Sequence, residues 1–172
     1  NFGMKIKIND KIAFKKKLNK KKNFKAEVIK KKNNVIRVLK GPQFSYFSEE
    51  SKKDFFLNEY KITNLTDRMG ARLEGSVIKN IISTNIRSEG IIKGAIQIPA
   101  DGQPIILLTD HPTIGGYPKI AHVISADYDL LVQKKPGTSI NFKCIELSEA
   151  EKIYKDKQDQ LLKSINNIKE IN

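Results

Sequence analysis

The decapeptide Asp110-His111-Pro112-Thr113-Ile114-Gly115-Gly116-Tyr117-Pro118-Lys119 gathers more usable chemistry than other stretches of this chain. Asp110 and His111 could trade protons, because an imidazole with an unperturbed pKa of about 6.5 suits work near neutrality. Lys119 could neutralise an anionic oxygen. Gly115 and Gly116 let backbone N–H groups approach a ligand closely and form an anion-binding nest. Tyr117 offers a stacking face or a hydroxyl, and Thr113 a further polar contact. Plainer readings stand beside these. An Asp before His-Pro often caps a turn, Pro112 and Pro118 shape a loop whatever it binds, and Lys119 could be solvated.

A second constellation is Thr66-Asp67-Arg68-Met69-Gly70-Ala71-Arg72-Leu73-Glu74-Gly75. Arg68 can grip a carboxylate or phosphate with both arms of its guanidinium. Strand alternation puts Arg68, Gly70, Arg72 and Glu74 on one face and Met69, Ala71 and Leu73 on the other. The alternative for Arg68 is an internal ion pair with Asp67 or Glu74. Gln103, in the turn Asp101-Gly102-Gln103-Pro104, could orient an amide substrate or close its own turn. His122, between Ala121 and Val123, reads as packed structure rather than a proton carrier.

The elements that must hold these groups are short. Val35 to Leu39 reads as a strand stopped by Gly41-Pro42, with a further strand possible at Lys25 to Ile29 and looser alternation from Met4 to Phe14. Ser48 offers an N-cap ahead of Glu49 and Glu50, for a short helix whose apolar face is Phe47, Phe55, Phe56 and Tyr60. Lys61 to Leu65, Arg68 to Leu73, the run Ile91 to Ile98 broken by Gly94, and Ile105 to Leu108 read as strands between glycine- and proline-marked turns. Ala126 to Gln133 suits a helical turn, and Ser139 to Leu147 a strand after the Pro136-Gly137 turn. Ser148 and Glu151 spell a capping box for a helix reaching about Ile168. Many close-spaced strands with two or three helices predict a mainly β fold, a closed barrel with peripheral helices.

Composition excludes several classes. One domain fits 172 residues, and a single cysteine, Cys144, permits no internal disulfide, which accords with a cytoplasmic setting. No apolar run approaches the roughly 20 residues needed to span a bilayer, so no membrane is expected. The net charge of +13 is local: residues 1–34 hold 13 of the 32 basic residues against only Asp10 and Glu27. That lysine-rich stretch lacks arginine and has few interleaved aromatics, which argues against nucleic acid as a partner. No G-x-x-x-x-G-K-[ST] loop occurs, so an ATP triphosphate would be held on another chain. Two histidines without metal-ligand spacing argue against a metal site. No G-x-S-x-G elbow supports a serine nucleophile. Gly3-Met4-Lys5-Ile6 contains a Met-Lys pair like that at which biotin is attached, but lacks the preceding half of a carrier domain.

Taken in order, Gly41-Pro42-Gln43 with Phe47, Asp67-Arg68-Met69-Gly70, Arg72-Leu73-Glu74-Gly75 and Ser88-Glu89-Gly90 form a pattern. It continues through Gly94 to Pro99, Asp101-Gly102-Gln103-Pro104, Gly115 to Lys119 and Val123 to Asp127. From about Val35 to Leu147 this resembles the C-terminal half of the biotin-dependent carboxyltransferase-like family. That family includes urea amidolyase-related proteins, the C component of ATP-dependent 5-oxoprolinase, and an antagonist of a sporulation-kinase inhibitor.

The resemblance implies a cyclophilin-like barrel over 35–147, residues 1–34 as a remnant or linker from an absent first domain, and a C-terminal helix over 148–172. It implies ATP-driven opening of the 5-oxoproline lactam to glutamate, with a B-type partner and a lactam-utilisation partner of the A type. On that basis the catalytic candidates are Arg68, Asp110 and Lys119, and the substrate-binding candidates Gln103, Thr113, Gly115, Gly116 and Tyr117. The two constellations are expected to meet at one cleft of the closed sheet. His111 lies where relatives vary, which weakens it as a catalyst, and Ala71 stands where an aromatic residue is usual. Two other implications remain open: carboxyl transfer from biotin to urea or a related amide, and a non-catalytic regulatory barrel.

Overall fold

The computed structural model describes residues 33–171 together with the strand Asn23–Lys25. Seven strands close on themselves: β2 (Val35–Lys40), β3 (Tyr60–Ile62), β4 (Gly70–Glu74), β6 (Ala95–Gln97), β7 (Ile105–Leu107), β9 (Lys119–Val123) and β10 (Ser139–Cys144). Their order round the barrel is β10-β2-β9-β6-β7-β4-β3. Only β10 and β2 run parallel; the other contacts are antiparallel. The mainly β closed barrel expected from the strand spacing is therefore the fold, with three helices outside it: α1 (Glu49–Leu57), α2 (Ser125–Val132) and α3 (Leu147–Asn166).

Alternation decides what fills the barrel. Ala71, Ile96, Ile106 and Ala121 lie side by side across four neighbouring strands and are all buried, in one core with Ile36, Val38, Leu73, Ile120 and Ile140. Phe55 of α1 stacks on Phe142 with ring centroids 4.5 Å apart, and Tyr60 lies against both. Burying one such aromatic contributes on the order of 2–3 kcal/mol. The helix begins where expected: Ser48 Oγ accepts from Ser51 N at 3.1 Å, and Glu49 and Glu50 occupy the first turn.

The outer face of the barrel is covered in two places. Ala150 and Ile153 of α3 pack on Leu39, Ile124 and Ile145. On β6 and β7 the outward-facing Ala95, Ile105 and Leu107 are covered by Ile91. Ile91 follows β5 (Glu89–Gly90), which pairs antiparallel with β8 (Ile114–Gly115) to make a small two-stranded flap.

Several expectations need correction. The helix expected from Ser148 starts at Leu147 with Glu146 as its cap residue, so Ser148 sits in the first turn and makes no cap. Ala150 N already bonds to Glu146 O, and the S-x-x-E pattern loses to a turn begun two residues earlier. After α3 the chain forms β11 (Lys169–Ile171), which pairs with β1 (Asn23–Lys25), a strand placed earlier than the one expected at Lys25 to Ile29. The alternation expected from Met4 to Phe14, and the Gly3 to Ile6 motif, lie outside the described residues.

Candidate functional site

Lys119 opens β9 and is only 5% exposed. Its neighbours are set by a close backbone approach. Gly41 N donates to Ile120 O at 2.9 Å, and Gln43 N to Lys119 O at 3.3 Å. A Cβ on Gly41 would sit 2.2 Å from Lys119 O, so no other residue fits there without shifting one chain. This clasp aims Gln43 back across Lys119: its Oε1 accepts from Lys119 N at 3.2 Å and its Nε2 donates to Glu89 Oε1 at 2.9 Å. Glu89 Oε1 also meets Lys119 Nζ, the only acidic partner of that ammonium among the described residues.

Gln97 completes the cluster. It lies opposite Lys119 in the β6–β9 ladder, where a bulge between Ile96 and Gln97 shifts the register. Its side chain is buried, and Nε2 finds no acceptor among the described residues. Gly115 of the flap lies directly over it: a Cβ there would be 2.8 Å from Gln97 Nε2 and 3.0 Å from Ile91 Cδ1. Glycine is therefore what allows the flap to close onto the amide.

The electrostatics follow from this packing. The close Lys119 ammonium and then the Gln43 hydrogen bond hold the Glu89 carboxyl below its ordinary pKa, against a smaller opposing effect of burial. Glu89 itself is half exposed, whereas Lys119, Gln43 and Gln97 are buried. The result is a fixed set of donors on the barrel under a carboxylate carried by the flap.

The residues expected to do chemistry divide. Lys119 and Gly115 belong to this cluster. Thr113 and Gly116 shape the flap through their carbonyls, which accept from Ile91 N at 3.1 Å and Ile86 N at 2.8 Å. Tyr117 lies between flap and barrel and is 39% exposed. Arg68 and Asp110 are brought together with each other instead: Arg68 Nε lies 2.7 Å from Asp110 Oδ2, with Arg68 84% exposed. Neither Asp67 nor Glu74 is the arginine's partner, because Asp67 Oδ1 accepts from Met69 N and Gly70 N to close its turn.

Register separates that pair from Lys119. Arg72, Ile105, Gln97 and Lys119 are level across four strands, and Arg68 lies four residues further along, roughly 13 Å. Among the described residues Arg68 pairs with Asp110 and Lys119 with Glu89, and no ion pair or hydrogen bond joins the two groups expected to share a cleft. Gln103 spends both ends of its amide on Gly75, accepting from its N at 2.9 Å and donating to its O at 3.2 Å. It is a turn clamp. His111 Nδ1 contacts Pro112 O at 2.6 Å rather than Asp110.

Reasoning from the sequence missed Gln43, Glu89 and Gln97 as site residues. Each sits inside a motif that carries the family resemblance, and that was the available signal. Away from this cluster, a hollow of about 440 Å³ lies between α3 and the barrel and is lined by Leu39, Ile92, His122, Glu151 and Tyr154. Burial lowers the His122 pKa, and its Nε2 has no partner among the described residues.

Comparison with known proteins returns one consistent picture. Residues 1–144 match the family described as carboxyltransferase domain, subdomain A and B. The chain is 34% identical over 156 residues to the C subunit of the Escherichia coli 5-oxoprolinase, covering 91% of this chain and 50% of that protein. It is 39% identical over 120 residues to the C subunit of the Haemophilus influenzae 5-oxoprolinase, covering 70% of this chain and 39% of that one. It thus spans half or less of the curated relatives it matches. Among solved structures, the urea amidolyase of K. lactis superposes with a TM-score of 0.70 at 27% identity, over 75% of this chain and 8% of that one.

Proposed function

We propose, from the premise that this chain belongs to the family of carboxyltransferase domains with subdomains A and B, that it serves an ATP-dependent 5-oxoprolinase, opening the 5-oxoproline lactam to glutamate together with partner chains. Two curated relatives are each named as the C subunit of a 5-oxoprolinase, and such a name presupposes partner subunits; the partners proposed for this chain are a B-type chain and a lactam-utilisation chain of the A type. The observation that carries the reading is the buried Lys119 with Gln43 and Gln97 beneath the flap.

A lactam is a neutral, resonance-stabilised amide. Opening it builds negative charge on the carbonyl oxygen, and donors fixed before the reaction stabilise that charge without reorganising. Lys119 supplies the positive charge and, with three N–H groups, a donor for that oxygen, while Gln43 and Gln97 supply N–H groups that anchor the rest of the substrate. Gly115 and Tyr117 would shape the flap over the ring. Arg68, Asp110 and Gln103 are left out, because each is occupied by a partner away from this cluster.

The cluster does not fit ATP. A triphosphate asks for several cations or a glycine-rich backbone cradle. Here one ammonium stands against one carboxylate. ATP is therefore assigned to a partner chain, and no step on this chain runs through it.

The test is reconstitution with the A-type and B-type partners and an assay of ATP-dependent glutamate release. Lys119→Ala should lower kcat at least about 100-fold, the scale for removing a charge-stabilising donor. Arg68→Ala should stay near the parent rate. Full activity in Lys119→Ala removes the site from the reaction.

A second reading is favoured by the superposition on the urea amidolyase and on the urea carboxylase of Kluyveromyces lactis. On it the donors would face a biotin ureido group, and the reaction would be carboxyl transfer to urea or a related amide. Activity that requires biotin carrier protein and bicarbonate, and not 5-oxoproline, selects that reading.

A further inference from the structure

Two donors meet Glu89, and a third, Gln97 Nε2, lies beneath Gly115, the ladder partner of Glu89. One oxygen, Oε1, takes both Lys119 Nζ and the Gln43 amide. Among the described residues Gln97 Nε2 is idle, and Lys119 Nζ, though paired in charge with Glu89, makes no well-aligned hydrogen bond. A buried amide N–H without an acceptor costs about 1–3 kcal/mol, so its persistence beside a buried ammonium points to a group that it meets at another time.

The two sides of the contact also differ in how firmly they are held. Lys119 and Gln97 are on adjoining barrel strands, and Gln43 is fixed by the clasp at Gly41. Glu89 rides on a flap of two residue pairs, Glu89↔Gly115 and Gly90↔Ile114, and its side chain is 42% exposed. Elements with few ladder bonds open at low cost.

We propose that Lys119, Gln43 and Gln97 form a carboxylate-binding subsite, and that Glu89 is its internal occupant, displaced by the carboxylate of an incoming ligand. A free carboxylate is planar and bidentate: one oxygen takes the place of Glu89 Oε1, and the other accepts from Gln97 Nε2. Departure of Glu89 leaves a hydrated carboxylate on the lifted flap, and the ligand keeps Lys119 neutralised throughout. The choice of ligand rests on the 5-oxoprolinase reading, since 5-oxoproline carries one carboxylate beside its lactam. The subsite itself does not depend on that choice.

The experiment is calorimetric titration of the whole chain with three probes: 5-oxoproline, cyclopentanecarboxylate (the acid without the lactam) and 2-pyrrolidone (the lactam without the acid). Both acids should bind and 2-pyrrolidone should not. Glu89→Gln removes the internal competitor while keeping a side chain of the same shape, and it should tighten both acids by about tenfold, because the open form no longer has to be selected. Gln97→Leu should weaken both acids. Unchanged or weaker acid binding in Glu89→Gln, with parental circular dichroism, overturns the displacement, as does the absence of acid binding in either protein. If both acids bind equally and both tighten, the subsite stands and the lactam substrate falls. If 5-oxoproline and 2-pyrrolidone bind alike and Glu89→Gln changes neither, the lactam reading stands and the subsite falls.

Discussion

Asp127 shows how much a single carboxylate can organise. It is buried at the start of α2 and accepts from Arg37 N at 2.9 Å and from Arg37 Nε at 2.8 Å, with Arg37 Nη2 on its other oxygen. The pair ties helix to barrel, and the carboxylate holds the guanidinium pKa above its ordinary value, chiefly through the side-chain hydrogen bond. Asp127→Asn keeps the shape but leaves charged donors poorly matched, and should cost about 2 kcal/mol in chemical denaturation. A midpoint unchanged from the parent would show the pair to be incidental. At the same scale, residue type was a poor guide to which side chains come together. Arg68, Asp110 and Gln103 have the chemistry of a site, and three-dimensional pairing consumes it. Gln43, Glu89 and Gln97 look ordinary in the sequence and converge only because barrel register and the flap bring them together.

Elements were more legible than residues, because each strand announces itself through alternation and bounding turns. β2, β7, β10 and α2 lie within a residue or two of the expected spans, save that β10 stops at Cys144, short of Leu147. The failures have a common origin. The β5–β8 flap is two residues wide, too short for any period to register, and β1–β11 joins the two far ends of the described chain. For α1 the local signal and the packing agree, since Ser48 caps the helix while Ser51 Oγ accepts from Lys79 N at 2.9 Å. Ser48→Ala should therefore cost about 1 kcal/mol, read as a lower melting temperature with unchanged far-ultraviolet dichroism. No change would mean that tertiary contacts alone set the start of the helix.

For the molecule as a whole, acidity acts in one direction. Burial lowers the folded pKa of His122 below the ordinary 6.5, outweighing the opposing pull of nearby backbone carbonyls. As pH falls through 6.5 the unfolded chain takes up a proton that the folded chain resists, and stability declines until the folded pKa is passed. Glu89 has a depressed pKa too. Its contribution is present above the ordinary 4.5 and is lost at lower pH. Unfolding free energy should begin to fall just below pH 6.5 and continue into the acid range. His122→Gln should abolish the upper part of that decline and leave the lower part. A parent and variant with identical profiles from about pH 5 to 7 would exclude His122 as its source.

The pairing of Asn23 with Ile171 has a topological consequence. Antiparallel register brings the first residue of one strand beside the last residue of the other, with the entire barrel looped between them. Polypeptide grafted onto either flank would emerge through a single doorway, and two cargoes fused there would be neighbours from the outset. The same doorway is where a short splice could join the flanks, making the barrel a ring that could be cut open elsewhere.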